Sequence, residues 1–246
     1  MAEEMEGFSI DRWSAWAPGV QNLPAWRAWI RGERLATPDQ SPDVSFLPAL
    51  LRRRLDRVGR MALHVAWRCA KGQADLPLVF ASRHGSLART VELLDGLARD
   101  EPLSPAAFSL SVHNGAAGLF SIARADRSPA TALAAGSGTL AAALLEGAGM
   151  LTEGIGAVLV VYADETPPPQ YQVYVEPDQP VFALGMLLTA AQGKPPRYRL
   201  TPVQSAVPAL RPEAALMEFL LEDAAVARLD ASESGWRLER VGSHAG

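Results

Sequence analysis

The length, composition and charge of the chain limit its structure and its partners. It has 246 residues, of which 48% are hydrophobic and 20% are charged, and this is enough apolar material to bury a large core in a single domain spanning residues 1–246. The formal net charge of −4 gives no electrostatic reason to expect nucleic acid or an anionic membrane surface as a partner.

Cysteine usage and the N-terminal sequence indicate the compartment. The single cysteine, Cys69, excludes an internal disulfide framework and a metal site built on paired cysteines, and its apolar neighbours predict a buried, inert thiol. The acidic N-terminus lacks the positive and apolar regions of a secretory signal, and no apolar run approaches the length that spans a bilayer. We therefore expect a cytoplasmic protein with no membrane span.

The first part of the chain predicts alternating strands and helices. Residues 8–16 alternate apolar and polar side chains before a Pro-Gly turn, which predicts an opening strand. Apolar residues at helical spacing predict one continuous amphipathic helix over residues 49–70. A strand over residues 76–81 and a helix over residues 85–97 are predicted next.

The middle of the chain predicts a strand, a tight turn and a buried helix. A short apolar run at residues 130–135 enters a Gly-Ser-Gly turn at residues 136–138. The following residues, up to Leu151, contain no proline and are almost all small or aliphatic on every side of a helical wheel, which predicts a buried helix. Residues 158–162 then predict a buried parallel strand. This crossover unit indicates an α/β fold.

The last part of the chain predicts additions to that sheet. Residues 171–175 and 181–191 predict two strands, and the second is long and apolar enough for an antiparallel position within the sheet. Residues 193–212 are rich in loop-forming residues. A helix that begins at Pro212 and a closing strand over residues 236–241 complete the prediction.

The turn at residues 136–138 is consistent with several functions on residue grounds alone. Gly136, Gly138 and Ala141 match the spacing of a dinucleotide-binding fingerprint, but Asp164, the acidic residue that closes the next strand, lies too far along the chain. Ser137 on a strand-to-helix turn also suits a nucleophile elbow, although its flanking positions are not glycine. The glycines could instead serve close packing alone.

A nucleophilic Ser137 would make the chain a hydrolase or an acyltransferase. Such a serine needs an adjacent base, and the candidates are His64, His84 and His113. The sequence does not show that any of them lies near the turn, and His244 falls in the C-terminal tail. This enzyme hypothesis stays open beside the others.

Several motifs between residues 8 and 165 follow a fixed order. An early strand with a Pro-Gly turn precedes a glycine-containing turn at residues 81–87, and Asn114 and Gly118 then lie on a helix before the strand that enters the elbow. This series resembles the N-terminal half of a β-ketoacyl synthase of the thiolase-like superfamily, in which an Asn-x-x-x-Gly helix precedes the strand leading to an acyl-accepting cysteine. The resemblance places Ser137 at the position of that cysteine.

The resemblance implies an α/β fold of the thiolase-like half type, in which a mixed sheet packs on a buried central helix. Its core would span about residues 8–200, and a C-terminal helix and tail would cover residues 201–246. Two departures bear on activity: serine stands at position 137, and the histidine motifs of the synthase second half do not follow Glu165. A serine hydroxyl is a far poorer nucleophile than a thiolate, so we do not expect Claisen condensation by this chain alone.

The remaining similarity is to chain-length-factor-like subunits encoded beside type II synthases that make aryl polyene pigments. It implies a noncatalytic subunit that forms a heterodimer with an active β-ketoacyl synthase and shapes its acyl tunnel in fatty acid or polyketide-type biosynthesis. An acyl carrier protein is a further implied partner, and no cofactor or metal is expected. The strand at residues 130–135 is the implied contact with the synthase. The residues implied at the tunnel or interface are His113, Asn114, Gly118, Phe120, Gly136 and Ser137.

Overall fold

A computed structural model describes residues 7–33, 40–175, 179–191, 197–204, 211–222, 224–229 and 234–241. The strands in these ranges are β1 (Phe8–Trp16), β2 (Leu78–Ala81), β3 (Ala130–Leu133), β4 (Ala157–Asp164), β5 (Phe182–Ala190), β6 (Arg197–Gln204), β7 (Val226–Arg228) and β8 (Ser234–Val241). The α-helices are α1 (Leu23–Ile30), α2 (Ala49–Arg54), α3 (Arg57–Cys69), α4 (Leu87–Ala98), α5 (Pro105–Ser109), α6 (Gly115–Arg124), α7 (Thr139–Thr152) and α8 (Pro212–Leu221). Two 3-10 helices cover Gly136–Gly138 and Pro169–Tyr174.

All the described strands join one mixed sheet in the order β3-β2-β4-β5-β1-β6-β8-β7. The strand β2 lies between β3 and β4 and is parallel to both. The strand β5 is antiparallel to both β4 and β1, and one residue pair, Phe8 with Tyr198, links β1 to β6. The predicted α/β class, the crossover from β3 through a helix to β4, and the antiparallel position of β5 are confirmed.

Helices cover both faces of the sheet centre. Alternate residues of β4 point to opposite faces, so that Val158 and Val160 pack with α7 in one apolar cluster. Leu159 and Val161 pack with α3 and α6 in the other cluster. Burial on both faces explains why β4 is apolar along its whole length rather than alternating.

The helix α7 lies close to the sheet because a glycine faces it. A Cβ atom built on Gly147 would lie 2.6 Å from Cγ2 of Val160 and 3.1 Å from Cδ1 of Leu188. The buried face of α7 is otherwise made of alanine and leucine, including Ala143 and Leu144, which are fully buried. The buried central helix predicted from the sequence is confirmed.

The predicted helix over residues 49–70 is wrong in one respect, because it is two helices. The chain is extended at Leu55, and the side chain of Asp56 accepts a hydrogen bond of 2.8 Å from the backbone N–H of Gly59. This N-cap satisfies an orphan donor at the start of α3 and so favours a new helix over continuation of the first.

Two further predictions are corrected after Asp164. Residues 171–175 do not form a strand, because Pro169–Tyr174 is a 3-10 helix that follows a run of prolines. The stretch 193–212 is not only loop, since β6 pairs with β8 along its whole length. The strand tolerates Pro202 because, beyond Tyr198, the other side of β6 is not paired with another described strand, and proline is tolerated at such an edge.

The described residues beyond 200 add strands to the same sheet and a helix to its core. The end of β6, with α8, β7 and β8, extends the sheet, and α8 contributes Met217 and Phe219 to the same apolar cluster as α7. The helix beginning at Pro212 and the closing strand are confirmed. Across the described ranges, no helix combines the length and apolar character needed to cross a bilayer.

The close approach of α7 predicts opposite effects for two glycines of the same helix. Gly147→Ala should lower the free energy of unfolding by about 1–3 kcal/mol, because the new methyl group meets a stiff β-branched side chain. Gly149→Ala is the matched control, since no atom lies within 4 Å of its added Cβ, and alanine should stabilise the helix by about 1 kcal/mol. Urea unfolding measures both. Equal stabilisation by the two substitutions would contradict this packing.

Candidate functional site

The Gly-Ser-Gly turn between β3 and α7 is held by hydrogen bonds within the turn. Gly136 has φ of +56°, a left-handed conformation that favours glycine. The backbone N–H of Gly138 donates to the carbonyl of Ala135 at 3.0 Å. The Thr139 hydroxyl accepts from the N–H of Ala135 at 2.9 Å and donates to the Gly136 carbonyl at 2.7 Å. We call this turn, residues 135–139, the elbow.

Ser137 projects from the elbow as a half-buried residue. Among the described residues its hydroxyl has no hydrogen-bond partner, and each candidate base is engaged elsewhere. His113 donates from Nε2 to the Ser82 carbonyl at 2.8 Å, and His84 donates from Nε2 to Gln179 at 3.2 Å. A serine nucleophile needs a base within hydrogen-bond reach, and the described part of the chain does not supply one to Ser137.

The other sequence candidates are similarly accounted for. His64 donates from Nδ1 to the carbonyl of Asp43 at 2.7 Å, and its burial lowers its pKa. His244 lies outside the described residues. Cys69 is fully buried, and this burial raises the pKa of its thiol to about 12, so the prediction of an inert thiol is confirmed.

A buried polar network that sequence reasoning missed lies beneath the elbow. Asp164, 1% exposed at the end of β4, accepts from the Ser82 hydroxyl at 2.8 Å and from the backbone N–H of Arg83 at 2.9 and 3.0 Å. Ser82 in turn accepts from the N–H of Gly85 at 2.8 Å. Burial raises the pKa of the Asp164 carboxyl, and these donors partly oppose that rise.

Because this carboxylate already accepts hydrogen bonds from the neighbouring loop, the geometry does not favour Asp164 as a ribose ligand in a dinucleotide site. In the described ranges, no group of three or more His, Cys, Asp and Glu side chains is arranged to hold a metal ion.

Arg83 connects this network to the elbow. Its backbone N–H binds Asp164, while its Nε donates to the carbonyl of Gly136 at 2.9 Å and its Nη1 donates to Oε1 of Gln179 at 3.2 Å. One side chain therefore contacts the elbow and the segment after the second 3-10 helix. The signal for it in the sequence is weak: a charged residue two positions after a buried strand.

A second buried contact joins β4 to α8. The hydroxyl of Tyr162 donates to Oε1 of Glu213 at 2.8 Å, and both residues are buried. Burial raises the pKa of the Tyr162 phenol, as do the nearby Asp164 and Glu213 carboxyls, so the phenol keeps the proton that it donates. Burial also raises the pKa of Glu213.

The structure separates the predicted tunnel and interface residues into three places. Gly136 and Ser137 lie on the elbow. Asn114 and Gly118 line an apolar groove of about 360 Å³ between α5 and α6. His113 and Phe120 pack inward, where His113 contacts the ring of Phe80 and Phe120 lines a cavity of about 10 Å³.

The sheet order, the buried helix and the elbow define the thiolase-like ketosynthase fold, and comparison with known proteins confirms it. A model of the β-ketoacyl synthase N-terminal domain matches residues 26–238. Because the match covers well over half of the chain, the chain belongs to the β-ketoacyl synthase N-terminal domain family. A search of the curated proteins gives no significant match.

Solved structures agree with this family. A chain from the complex of the ketosynthase ApeO with its chain length factor ApeC, from Xenorhabdus doucetiae, is 25% identical with a TM-score of 0.80, and the match covers 95% of this chain and 99% of that chain. The ishigamide ketosynthase/chain length factor is 18% identical, with a TM-score of 0.61 over 81% of this chain and 68% of that one. A β-ketoacyl synthase from Burkholderia phymatum STM815 is 11% identical with a TM-score of 0.62, and the match covers 90% of this chain and 71% of that chain. The resemblance inferred from the motifs is confirmed.

The polar network predicts different roles for two serines of the same loop. Ser82→Ala should lower the free energy of unfolding by about 1–3 kcal/mol, because the buried N–H of Gly85 loses its acceptor and the buried Asp164 carboxylate loses one of its donors. Ser86→Ala is the control: its side chain makes no hydrogen bond within the described structure, so a change within about 0.5 kcal/mol is expected. Urea unfolding compares the two. Similar losses in both variants would contradict the assigned network.

Proposed function

We propose that the chain is a noncatalytic, chain-length-factor-like subunit that pairs with an active β-ketoacyl synthase and shapes its acyl tunnel. The observation that carries the proposal is the position of β3, which ends the sheet and runs directly into the elbow. The proposal assigns the complex to fatty acid or polyketide-type biosynthesis, and specifically to aryl polyene pigments. The cytoplasmic location expected from the sequence stays a prediction.

The hydrogen-bond pattern of β3 supports pairing on its outer side. Leu78 donates to the carbonyl of Pro129 at 3.0 Å, and Ser82 donates to the carbonyl of Leu133 at 3.3 Å. In a parallel pair the bonding residues alternate, so Ala130 and Ala132 direct their backbone groups away from β2.

The side chains along this outer side also suit a partner strand. We call residues 130–136 the β3 edge; it carries no charge and no proline, the features that usually protect an exposed edge from pairing. Ala130, Ala134, Ala135 and Gly136 are exposed. The β3 edge is therefore suited to accept a strand from another chain.

Two matched structures support a ketosynthase as the chain that pairs with the β3 edge. The matched structures with ApeO and with the ishigamide enzyme each contain a ketosynthase together with a chain length factor. An acyl carrier protein is a further proposed partner, since the ketosynthase of the AntDE:AntF structure binds one and shares the fold at 13% identity and a TM-score of 0.59.

The groove between α5 and α6 is the proposed contribution to the tunnel wall. Val112 and Ile122, two of its lining residues, are 49% and 63% exposed, and exposed apolar side chains that share one groove suit contact with a ligand or a partner. Asn114 and Gly118 lie in the same wall. Apolar contacts of this kind discriminate chains by about 1–3 kcal/mol per methylene, which is enough to bias product length. Ser137 has no nucleophilic role in this proposal, and no cofactor is required.

Proline substitution on the two edges of the sheet tests the pairing. Ala132→Pro removes an N–H that points away from β2, so it should leave the fold intact but raise the Kd for a co-expressed ketosynthase by about tenfold or more. Val226→Pro is the matched control on β7, the strand at the opposite edge. There Ala225 accepts from the N–H of Arg240, and Leu229 donates to the carbonyl of Trp236. Because bonding residues alternate along an antiparallel strand, Val226 points its N–H away from β8.

Affinity is measured by titration of the purified subunits, and folding by thermal unfolding of each variant alone. The proposal expects Val226→Pro to bind the ketosynthase like the wild-type chain. Equal affinity for Ala132→Pro and wild type would show that the ketosynthase does not pair with the β3 edge.

A further inference from the structure

The shape of the elbow and its position on the sheet are determined by different contacts. Hydrogen bonds among Ala135, Gly136, Gly138 and Thr139 close the turn locally. Two of them protect the backbone amides of Ala135 and Gly138, and such bonds open more often when the turn is not held from outside. Its position relative to the neighbouring loop depends instead on contacts from outside the turn, among which the Arg83 Nε donates to the Gly136 carbonyl at 2.9 Å.

Arg83 is itself held through both its backbone and its side chain. Its backbone N–H donates to both oxygens of Asp164, which ties it to the end of β4. Its Nη1 donates to Gln179 at 3.2 Å, which ties the guanidinium to the segment before β5. Asp164 therefore fixes the backbone of Arg83 and Gln179 contacts its guanidinium, whose planar donors have fixed relative directions and can hold the elbow carbonyl in one place.

The anchoring extends to α8. Asp164 lies two residues after Tyr162 on β4, and Tyr162 donates to Glu213 in the first turn of α8 at 2.8 Å. Burial and the two carboxyls raise the pKa of Tyr162, so its phenol keeps the proton that it donates. The groups that support Arg83 are therefore buried and hydrogen-bonded, and such networks are rigid. They are Ser82, Asp164, Tyr162 and Glu213.

We propose that Arg83 is a positioning residue: it holds the elbow at the end of the β3 edge and so controls both the affinity for the ketosynthase and the length of the chain that the complex makes. The second part of this inference rests on the proposed function. The first part, the positioning of the elbow, concerns this chain alone and is tested without a partner.

Two substitutions separate charge from geometry. Arg83→Lys keeps the positive charge but lacks the Nε donor, and Arg83→Met keeps only the apolar stem. Arg99→Met is the matched control, because Arg99 pairs with Glu101 on the surface at 2.7 Å with 60% of its side chain exposed. Such exposed pairs contribute little to stability.

Hydrogen–deuterium exchange on the isolated full-length chain tests the positioning. In Arg83→Met the amides of residues 134–138 should exchange about tenfold faster than in the wild type, whereas those of α3 and β4 should be unchanged. Arg83→Lys should give an intermediate increase and Arg99→Met none. Unchanged exchange at the elbow in Arg83→Met would overturn the inference.

Titration and product analysis with the ketosynthase test the consequence. Arg83→Met should raise the Kd about tenfold, which corresponds to 1.4 kcal/mol, and should alter the distribution of product lengths even when the subunit is saturating. A purely stabilising residue would not change products at saturation. Faster amide exchange at the elbow together with an unaltered Kd and unaltered product lengths would overturn the proposed effect of Arg83 on the ketosynthase. Failure of the wild-type chain to bind any ketosynthase would overturn the proposed function instead, while the exchange result still decides the positioning.

Discussion

The buried carboxylate of Asp164 is the constraint on which the arrangement around the elbow depends. A carboxylate at 1% exposure is costly unless donors surround it, and here the donors come from the loop after β2, through Ser82, Arg83 and His84. The strands β2 and β4 are parallel neighbours, so their carboxyl ends meet at the same edge of the sheet. Satisfying Asp164 therefore folds the loop after β2 and directs the Arg83 side chain to the elbow.

Two features of the structure suit an assembly, and they lie in different places. The elbow follows β3, the outer strand, and the groove between α5 and α6 contains two large exposed apolar side chains, Val112 and Ile122. Within the described residues, the Ser137 hydroxyl has no hydrogen-bonded base. The sheet behind these features is rigid, because α7 covers one face of its centre and α3 with α6 covers the other.

The sequence predicted the centre of the fold well because its signals are local. The run from Leu140 to Leu151 is apolar on nearly every side, and a helix with that composition must be buried. Prediction failed where two local signals compete. The helical spacing of apolar residues continues through Asp56, but the capping interaction of its side chain with Gly59 decides the structure there. Prolines near β6 indicated a loop, although Tyr198 and Leu200 alternate as buried residues of a strand.

The candidate site was less predictable, because its partners are distant in sequence. The residue pattern placed Ser137 correctly on a strand-to-helix turn, but no pattern links Tyr162 to Glu213, 51 residues away. Asp164 is the last residue of one buried strand and Ser82 directly follows its parallel neighbour, and these positions are the one signal that could have indicated their contact. It does not reveal that Arg83 reaches Gly136, because side-chain direction depends on the folded loop.

The rate of product formation by the complex of a ketosynthase with Ser137→Ala tests the central claim most directly. The complex is reconstituted from purified subunits at saturating concentrations, and the product is quantified against the wild-type complex. A noncatalytic subunit predicts the same rate for both complexes. Loss of product formation by a Ser137→Ala complex that still assembles, together with acyl groups on Ser137 in the wild-type chain by mass spectrometry, would contradict the account and favour an acyltransferase or hydrolase.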